Sequence, residues 1–234
     1  MAPKARKAST ARVGRGTKLG PGTVLQDWVE VGLNPPGSKL AAPLLGRDCT
    51  LRSHTVVYRG VRIGDHFQTG HGAVVREGTV IGNDVSLGTH SILERDAVVE
   101  DGARIHSGCF LPEFTKVRRN AWIGPCVVVT NVLHPPCPQF KLQGKDGRDF
   151  CVDAPDIGEN AKVGAGAILM PGIKIGANAL VGGGSVVTED VPPDAVVAGN
   201  PARVVKTIPE LKCYPGHYRE VYEWERGTRK VVGA

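Results

Sequence analysis

The chain is short of the residues that usually build a large globular core. Only 5% of its 234 residues are aromatic and just 2 are methionine, although 41% are hydrophobic. A core of this kind has to be filled by valine, isoleucine, leucine and alanine, and it is expected to be narrow. The 31 glycines indicate many corners at which the backbone adopts unusual φ and ψ angles.

Several other features are missing, and each absence excludes a class of protein. No apolar run reaches the roughly 18 residues of a membrane span, and the basic N-terminus lacks the apolar stretch of a secretory signal. The 6 cysteines include no CxxC pair, which favours free thiols in a reducing cytoplasm. Neither a GxxxxGK[ST] element nor a GxGxxG after a strand is present, so a nucleoside triphosphate or NAD site is unsupported. We expect a cytoplasmic protein with no membrane partner.

Positive charge is concentrated at the N-terminus. The net charge is +6, and residues 1–18 contain six lysines and arginines but no acidic residue. Such a composition predicts a disordered basic tail over residues 1–17. No basic patch interleaved with aromatic residues accompanies it, so we do not expect a nucleic-acid partner.

A six-residue period dominates the middle of the chain. Every sixth residue from Leu51 to Val129 is aliphatic, with the single exception of Thr69, and the series resumes from Ile157 to Val187. A short fixed period of this kind indicates a solenoid, and a period of six indicates a parallel β-helix. Three hexads make one triangular coil, and coils stack about 4.8 Å apart. The pattern predicts an all-β fold of about seven coils.

The period is interrupted once between its two regular blocks. Val129 and Ile157 are 28 residues apart, which is not a multiple of six. We therefore predict a β-helix domain over residues 18–207 that extrudes a loop at 130–156, since a long loop in a regular solenoid is usually functional. Residues 208–234 form a C-terminal extension, in which 208–225 are predicted to include a short amphipathic helix.

Three segments carry a resemblance to a known family. They are the hexad Ile-Gly-Asn-Asp-Val-Ser at 81–86, the ending Gly-Gly-Gly-Ser-Val-Val at 182–187 and the exit Gly-Asn-Pro-Ala-Arg-Val-Val-Lys at 199–206. Over roughly residues 40–207 the chain resembles the hexapeptide-repeat acyltransferases, especially the bacterial nucleotide-sugar N-acetyltransferases. The resemblance implies a left-handed parallel β-helix, a homotrimer with active sites between neighbouring prisms, acetyl-CoA as co-substrate and no metal.

The repeat also places histidines without coordinates, because residues 18 apart stack on one corner. His54, His71, His90 and His106 fall on the same corner. A neutral imidazole can take a proton from an amine or a hydroxyl near pH 7. We rank His90 first as general base, followed by His106 and His71. Ser107 is expected near His90 and is a candidate contact for the acceptor.

The loop supplies another candidate base. His134 follows Thr130 and Asn131 directly after the first repeat block. Its position resembles that of the catalytic histidine in hexapeptide O-acetyltransferases, whereas the surrounding Thr-Asn context resembles the N-acetyltransferases. A loop histidine that packs on Pro135 is the structural alternative.

The resemblance implies further contacts with acceptor and donor. Glu113 and Asn131 would contact the acceptor, or would serve only as turn and cap residues. Five residues would hold acetyl-CoA through backbone amides, a hydroxyl and phosphate-pairing cations: Gly166, Gly184, Ser185, Arg203 and Lys206. The glycines have the alternative role of turning corners.

The function favoured by these observations is acetyl transfer from acetyl-CoA to an amino group of a nucleotide-linked sugar. An O-acetyltransferase acting on a hydroxyl acceptor is the main alternative. Two further alternatives remain. One is a zinc enzyme of the γ-carbonic-anhydrase kind, which needs three histidines that meet across a subunit interface. The other is a β-helix scaffold without catalytic activity, which would bind no acyl-CoA.

Overall fold

Three parallel sheets wind into a single solenoid. The computed structural model describes residues 3–135, 151–213 and 221–222. Within these residues, consecutive strands go to sheets A, B and C in turn, so three strands make one coil of a triangular prism. The prism has about ten coils, and the architecture is consistent with a left-handed β-helix.

The strands are numbered in chain order, and almost all are two residues long. Sheet A consists of β1 (Arg6–Lys7), β4 (Val24–Leu25), β7 (Thr50–Leu51), β10 (Gln68–Thr69), β13 (Ser86–Leu87), β16 (Arg104–Ile105), β19 (Trp122–Ile123), β22 (Lys162–Val163), β25 (Leu180–Val181), β27 (Ala195–Gly199) and β28 (Ala202–Thr207). Sheet B consists of β2 (Arg12–Val13), β5 (Glu30–Leu33), β8 (Val56–Tyr58), β11 (Val74–Val75), β14 (Ile92–Leu93), β17 (Phe110–Leu111), β20 (Val128–Val129), β23 (Ile168–Leu169) and β26 (Val186–Val187). Sheet C consists of β3 (Lys18–Leu19), β6 (Leu44–Leu45), β9 (Arg62–Ile63), β12 (Val80–Ile81), β15 (Val98–Val99), β18 (Lys116–Val117), β21 (Asp156–Ile157) and β24 (Lys174–Ile175).

The register confirms that three hexads make one coil. Strand partners lie 18 residues apart in the regular region, as Ser86 pairs with Arg104 and Leu87 with Ile105. The second residue of each regular strand points inward and is buried. Thr69 breaks the aliphatic series without leaving an unsatisfied hydroxyl, because its Oγ1 lies 2.8 Å from Oγ1 of the buried Thr55.

Each corner requires one residue with a positive φ angle, which explains the composition of the turns. At the corner between sheets A and B this position is held by Trp28, His54, Gly72, His90, Gly108, Cys126, Gly166 and Gly184. Glycine tolerates this conformation freely, whereas other residues adopt it at some cost. The non-glycine side chains at these positions extend from the prism edge into solvent.

The prediction of a disordered tail over residues 1–17 is wrong for the part that the structure describes. Arg6–Lys7 pairs in parallel with Val24–Leu25, and Arg12–Val13 pairs in parallel with residues 30–31. The basic residues therefore belong to the first coil. The estimate of seven coils is also too low, because residues 3–50 contribute coils that lack a clean aliphatic series.

The 26-residue step from Lys18 to its partner Leu44 marks an insertion between β5 and β6 that the repeat analysis missed. The structure describes the base of the predicted loop at 130–156. Val132 and Val152 form an antiparallel bridge, and the Leu133 amide donates to the Cys151 carbonyl at 3.0 Å. Residues 136–150 lie outside the described part of the chain.

The structure describes only part of the predicted C-terminal extension, residues 208–213 and 221–222. A 3₁₀ helix runs over Ile208–Glu210, and the side chain of Glu210 accepts hydrogen bonds from the amide and hydroxyl of Thr207. Most of the predicted amphipathic helix over 208–225 lies outside the described residues. At its end, Tyr222 is described and packs against sheet A.

The outer faces of the three sheets differ in character. From β8 to β26 the outward residue of every sheet B strand is aliphatic or aromatic, and Phe110, Val128 and Ile168 are each more than a third exposed. Over the same coils sheet A presents polar, cationic and aromatic side chains, including Gln68, Arg104 and Trp122. The two faces meet along the corner that carries the histidines.

Candidate functional site

The predicted histidine column is present at the corner between sheets A and B. His54 and His90 have positive φ angles two coils apart. His71 lies in the coil between them, next to the positive-φ residue Gly72, and His106 lies in the coil after His90, two residues before Gly108. The His90 amide donates to the His71 carbonyl at 2.9 Å. His71 Nδ1 lies 2.7 Å from Ser53 Oγ, so a hydroxyl orients that ring.

Of these histidines, His106 is the one that lines a concave site. A cavity of about 270 Å³ lies where sheet A meets this corner, and its wall includes His106, Ser107 and Thr89. Ser107 Oγ accepts a hydrogen bond from the Thr89 amide at 3.2 Å. His90 and His71 are exposed on the convex edge and do not line this cavity. Geometry therefore favours His106 over the higher-ranked His90.

A second and larger cavity adjoins the first along sheet A. It has a volume of about 750 Å³, and Arg104, Trp122, Lys162 and Tyr222 contribute side chains to its wall. The His106 and Trp122 rings are in contact, with centroids 4.7 Å apart and planes tilted by 58°. Because His106 lines the small cavity and Trp122 the large one, this ring pair forms the boundary between them.

Sequence reasoning missed the side chains of the large cavity. Arg104, Trp122 and Lys162 each precede an inward aliphatic residue in strands that are direct neighbours. The six-residue period is sufficient to predict that all three side chains point outward. However, the step from Trp122 to Lys162 spans the extruded loop, which hides their adjacency.

His134 lies at a different corner from the other candidate bases. It follows β20, where sheet B turns towards sheet C, and its side chain is exposed. Asn131 is buried at the loop base, and its Nδ2 donates to the Glu113 carbonyl at 3.3 Å. Glu113 forms an ion pair with Arg95. These contacts favour structural roles for Asn131 and Glu113, and they do not bring either residue to the His106 cavity.

The predicted donor contacts divide into two groups. Gly166 and Gly184 have positive φ angles, and a Cβ added at either would meet no atom within 4 Å, so both corners are open to a ligand. Ser185 is a correction, because its side chain is buried and its Oγ accepts a hydrogen bond from the Gly199 amide at 3.2 Å. The hydroxyl holds the last coils together instead of facing a groove.

The two predicted phosphate contacts lie on β28, the last strand of sheet A. Arg203 is 58% exposed and its Nη1 lies 3.5 Å from Glu189 Oε1. Nη1 also donates a hydrogen bond to the Ala202 carbonyl at 2.8 Å. Lys206 is exposed on the same strand. Both cations remain accessible to an anionic ligand at this end of the prism.

The cysteines of the core differ in exposure from the cysteine at the histidine-bearing corner. Burial raises the pKa of the Cys49 and Cys109 thiols, which point into the prism. Cys126 is exposed at the histidine-bearing corner, two coils beyond His90. The cysteines of the described residues are free thiols.

Two kinds of feature are absent from the described residues. Across residues 3–135, 151–213 and 221–222, no three His, Cys, Asp or Glu side chains come together in a way that could hold a metal ion. In the same part of the chain, no helix is long and apolar enough to cross a membrane.

Comparison with known proteins agrees with the repeat. Residues 155–189 match the model of the bacterial transferase hexapeptide (six repeats). The matched residues belong to the second block of coils, so the match covers that part of the solenoid.

The curated relatives that match part of this chain are named acetyltransferases. The tetrahydropyridine-dicarboxylate N-acetyltransferase of Brevibacillus brevis is 39% identical over 38% of this chain and 31% of its own length. The galactoside O-acetyltransferase of Lactococcus lactis is 35% identical over 39% of this chain and 42% of its own length. The chain thus spans about half or less of the curated relatives that it matches.

A solved structure supports the fold alone. The UDP-N-acetylglucosamine acyltransferase of Campylobacter jejuni superposes with a TM-score of 0.52 at 15% identity, over 86% of this chain and 75% of that one. At this identity the likeness concerns the β-helix architecture.

Proposed function

We propose that this protein is a cytoplasmic, acetyl-CoA-dependent acetyltransferase whose acceptor is an amino group of a nucleotide-linked sugar. The observation that carries the proposal is the cavity lined by His106 and Ser107, which lies on the same corner as the open positions Gly166 and Gly184, two and three coils further along the prism. The names of the relatives, which include N- and O-acetyltransferases, agree with the reaction class.

In the reaction, the acceptor nitrogen attacks the thioester carbonyl, so that a C–N bond forms and the C–S bond breaks. His106 takes the proton from the attacking nitrogen and returns it to the leaving thiolate. The Trp122 ring fixes the imidazole against sheet A. Holding acceptor and thioester together at one corner supplies the proximity that lowers the barrier. Exposed backbone at Gly166 and Gly184 gives the donor chain a path along the edge.

A trimer fits this arrangement. The apolar outer face of sheet B borders the histidine corner, and such a face in a soluble protein favours association. Packing it on a neighbouring prism turns the corner into a cleft. The neighbour then supplies the second wall of that cleft, where His134 from the partner's loop corner is a candidate second base. Acetyl-CoA binding and a homotrimer are thus linked parts of one proposal.

The test is a thiol-release assay with acetyl-CoA and a panel of amino sugars and hydroxyl sugars, free and nucleotide-linked. General-base removal typically costs about 10²- to 10⁴-fold in rate, so we expect a loss of that size for His106→Gln. His66→Gln is the matched control, because His66 lies on the opposite corner and pairs with Asp84. Full activity of the His106 variant together with a large loss for His90→Gln would return the role to His90.

The acceptor panel also decides between nitrogen and oxygen acetylation. Turnover with hydroxyl sugars alone would favour the galactoside-type reaction of the Lactococcus lactis relative. If no acceptor releases thiol and acetyl-CoA causes no thermal shift, the chain is a scaffold. Stoichiometric zinc in the purified protein would revive the zinc-enzyme alternative.

A further inference from the structure

The larger cavity contains an aromatic surface between two cations. Trp122 points outward from sheet A, and its neighbours in the adjoining strands are Arg104 on one side and Lys162 on the other. Adjacent strands lie about 4.8 Å apart. The indole and both cationic groups are therefore within reach of a single small ligand.

Two of these side chains, Trp122 and Lys162, are held in place by their surroundings. His106 packs against the indole. Lys162 is buried, donates from Nζ to the Asn160 carbonyl at 2.8 Å, and lies 4.1 Å from the centroid of the Tyr222 ring. Arg104 is exposed, and no ion pair to it is found among the described residues. A preformed wall of this kind reduces the entropy lost on binding.

The charge of the cavity suits an anion. Its wall includes one carboxylate, Asp84, whose Oδ1 lies 3.0 Å from His66 Nδ1 at the corner between sheets C and A. That carboxylate has a partner on the corner, and the cationic groups of Arg104 and Lys162 border the indole. Backbone at Gly182 and Gly183, where no side chain intervenes, lines the far end.

We propose that this cavity, the Trp122 pocket, binds a nucleoside diphosphate. The base stacks on the indole, and the diphosphate contacts Arg104 and Lys162, since guanidinium and ammonium groups are the usual phosphate partners. Stacking of a base on an aromatic side chain is sequence-tolerant and substantial. The volume of about 750 Å³ lies within the range of small-molecule pockets.

The inference rests on the proposed function, because the pocket adjoins the His106 cavity where acetyl transfer is placed. Two reactants of that reaction carry a base and a diphosphate. One is the adenosine diphosphate part of the acetyl donor, and the other is the nucleotide of a nucleotide-linked acceptor. The shared chemistry defines the pocket, and competition between the two ligands identifies its occupant.

The experiment measures binding of ADP and UDP to the full chain by calorimetry, without any acetyl donor. Trp122→Ala should weaken binding by about tenfold or more, whereas Trp122→Phe should retain most of it. Arg104→Gln should weaken nucleotide binding by about fivefold. Inorganic pyrophosphate should lose affinity in Arg104→Gln but not in Trp122→Ala, because it has no base.

The matched controls come from the same chain. Arg62 holds the equivalent outward position on sheet C, and Trp28 stacks on His54 away from the pocket. Arg62→Gln and Trp28→Ala should bind nucleotide as the wild type does. Thermal melting checks that each variant is folded.

The outcomes are distinct. Failure of wild-type protein to bind either nucleotide, or unchanged affinity in Trp122→Ala, overturns the pocket assignment. If coenzyme A displaces both nucleotides, the donor occupies the pocket; if coenzyme A and UDP bind together, the acceptor does. Protein that binds nucleotide but transfers no acetyl group defeats the proposed function alone. Acetyl transfer without nucleotide binding defeats only this inference.

Discussion

The inward faces of sheets A and B are alike, whereas their outward faces differ in polarity. On both, the second residue of each regular strand is an aliphatic side chain buried in the prism, apart from Thr69. On the outside, sheet A carries the cavities, the cations and Trp122, whereas sheet B carries an apolar strip. The difference shows that the repeat determines only the scaffold, and that the outward residue of each strand determines what the face does.

The largest expected effect comes from placing a charge on the sheet B strip. Val128→Glu puts a carboxylate in the centre of the proposed trimer interface, and burial of an unpaired charge is very costly. We expect a monomer by light scattering and loss of acetyl transfer.

Val80→Glu is the control for this substitution. Val80 holds the same outward position on sheet C and is 43% exposed, against 38% for Val128. The variant should keep the wild-type oligomer. If both variants, or neither, lose the oligomer, sheet B is not the interface.

The interiors of the two sheets should respond alike. Leu87 and Leu93 are inward residues of neighbouring strands on sheets A and B, and both are almost completely buried. Replacing either by alanine should lower the free energy of unfolding by about 2–5 kcal/mol. Denaturant unfolding measures the two costs. A large difference between them would mean that one sheet interior is more loosely packed than the other.

Thiol reactivity should distinguish the histidine corner from the core. Cys126 is exposed, whereas Cys49 and Cys109 are buried with raised pKa values. A raised pKa keeps the thiol protonated to higher pH than usual, and burial also blocks the reagent. Alkylation of the two core cysteines therefore requires unfolding, which removes both barriers. Mass spectrometry should find Cys126 modified before Cys49 and Cys109 in native protein. Rapid native alkylation of Cys109 would contradict the burial of its coil.

Much of the fold was predictable because one physical requirement repeats in every coil. Inward residues must be apolar and one residue of each corner must tolerate a positive φ angle, so the period of six determined sheets, register and the histidine corner. The first coils were missed because at the open end of the prism Lys7 takes the position that Leu25 and Leu51 hold in the next coils. Charged residues on such edge strands oppose end-to-end pairing, and in the sequence they look like a tail.

The site was less predictable, because chemistry depends on which outward residues meet a concavity. The histidine column followed from spacing, but spacing did not separate His106 from His90. Burial of Ser185 and the contact of Asn131 with Glu113 depend on how the last coil and the loop base close. The Trp122 pocket also requires Lys162, which is adjacent to Trp122 in the sheet but is separated from it in the sequence by the extruded loop.

The smallest expected effect on stability belongs to Arg203, at the end of sheet A. Its ion pair with Glu189 joins side chains that are 58% and 73% exposed, and such surface pairs contribute about 0–1 kcal/mol. Arg203→Ala should therefore leave the melting temperature nearly unchanged. If Arg203 contacts a phosphate of the donor, the same variant should raise the KM for acetyl-CoA severalfold at constant kcat, with Glu189→Ala as a control that breaks the pair but keeps the cation. An unchanged KM would mean that Arg203 does not contact the donor. Lys206 would then be the remaining candidate for phosphate binding on β28.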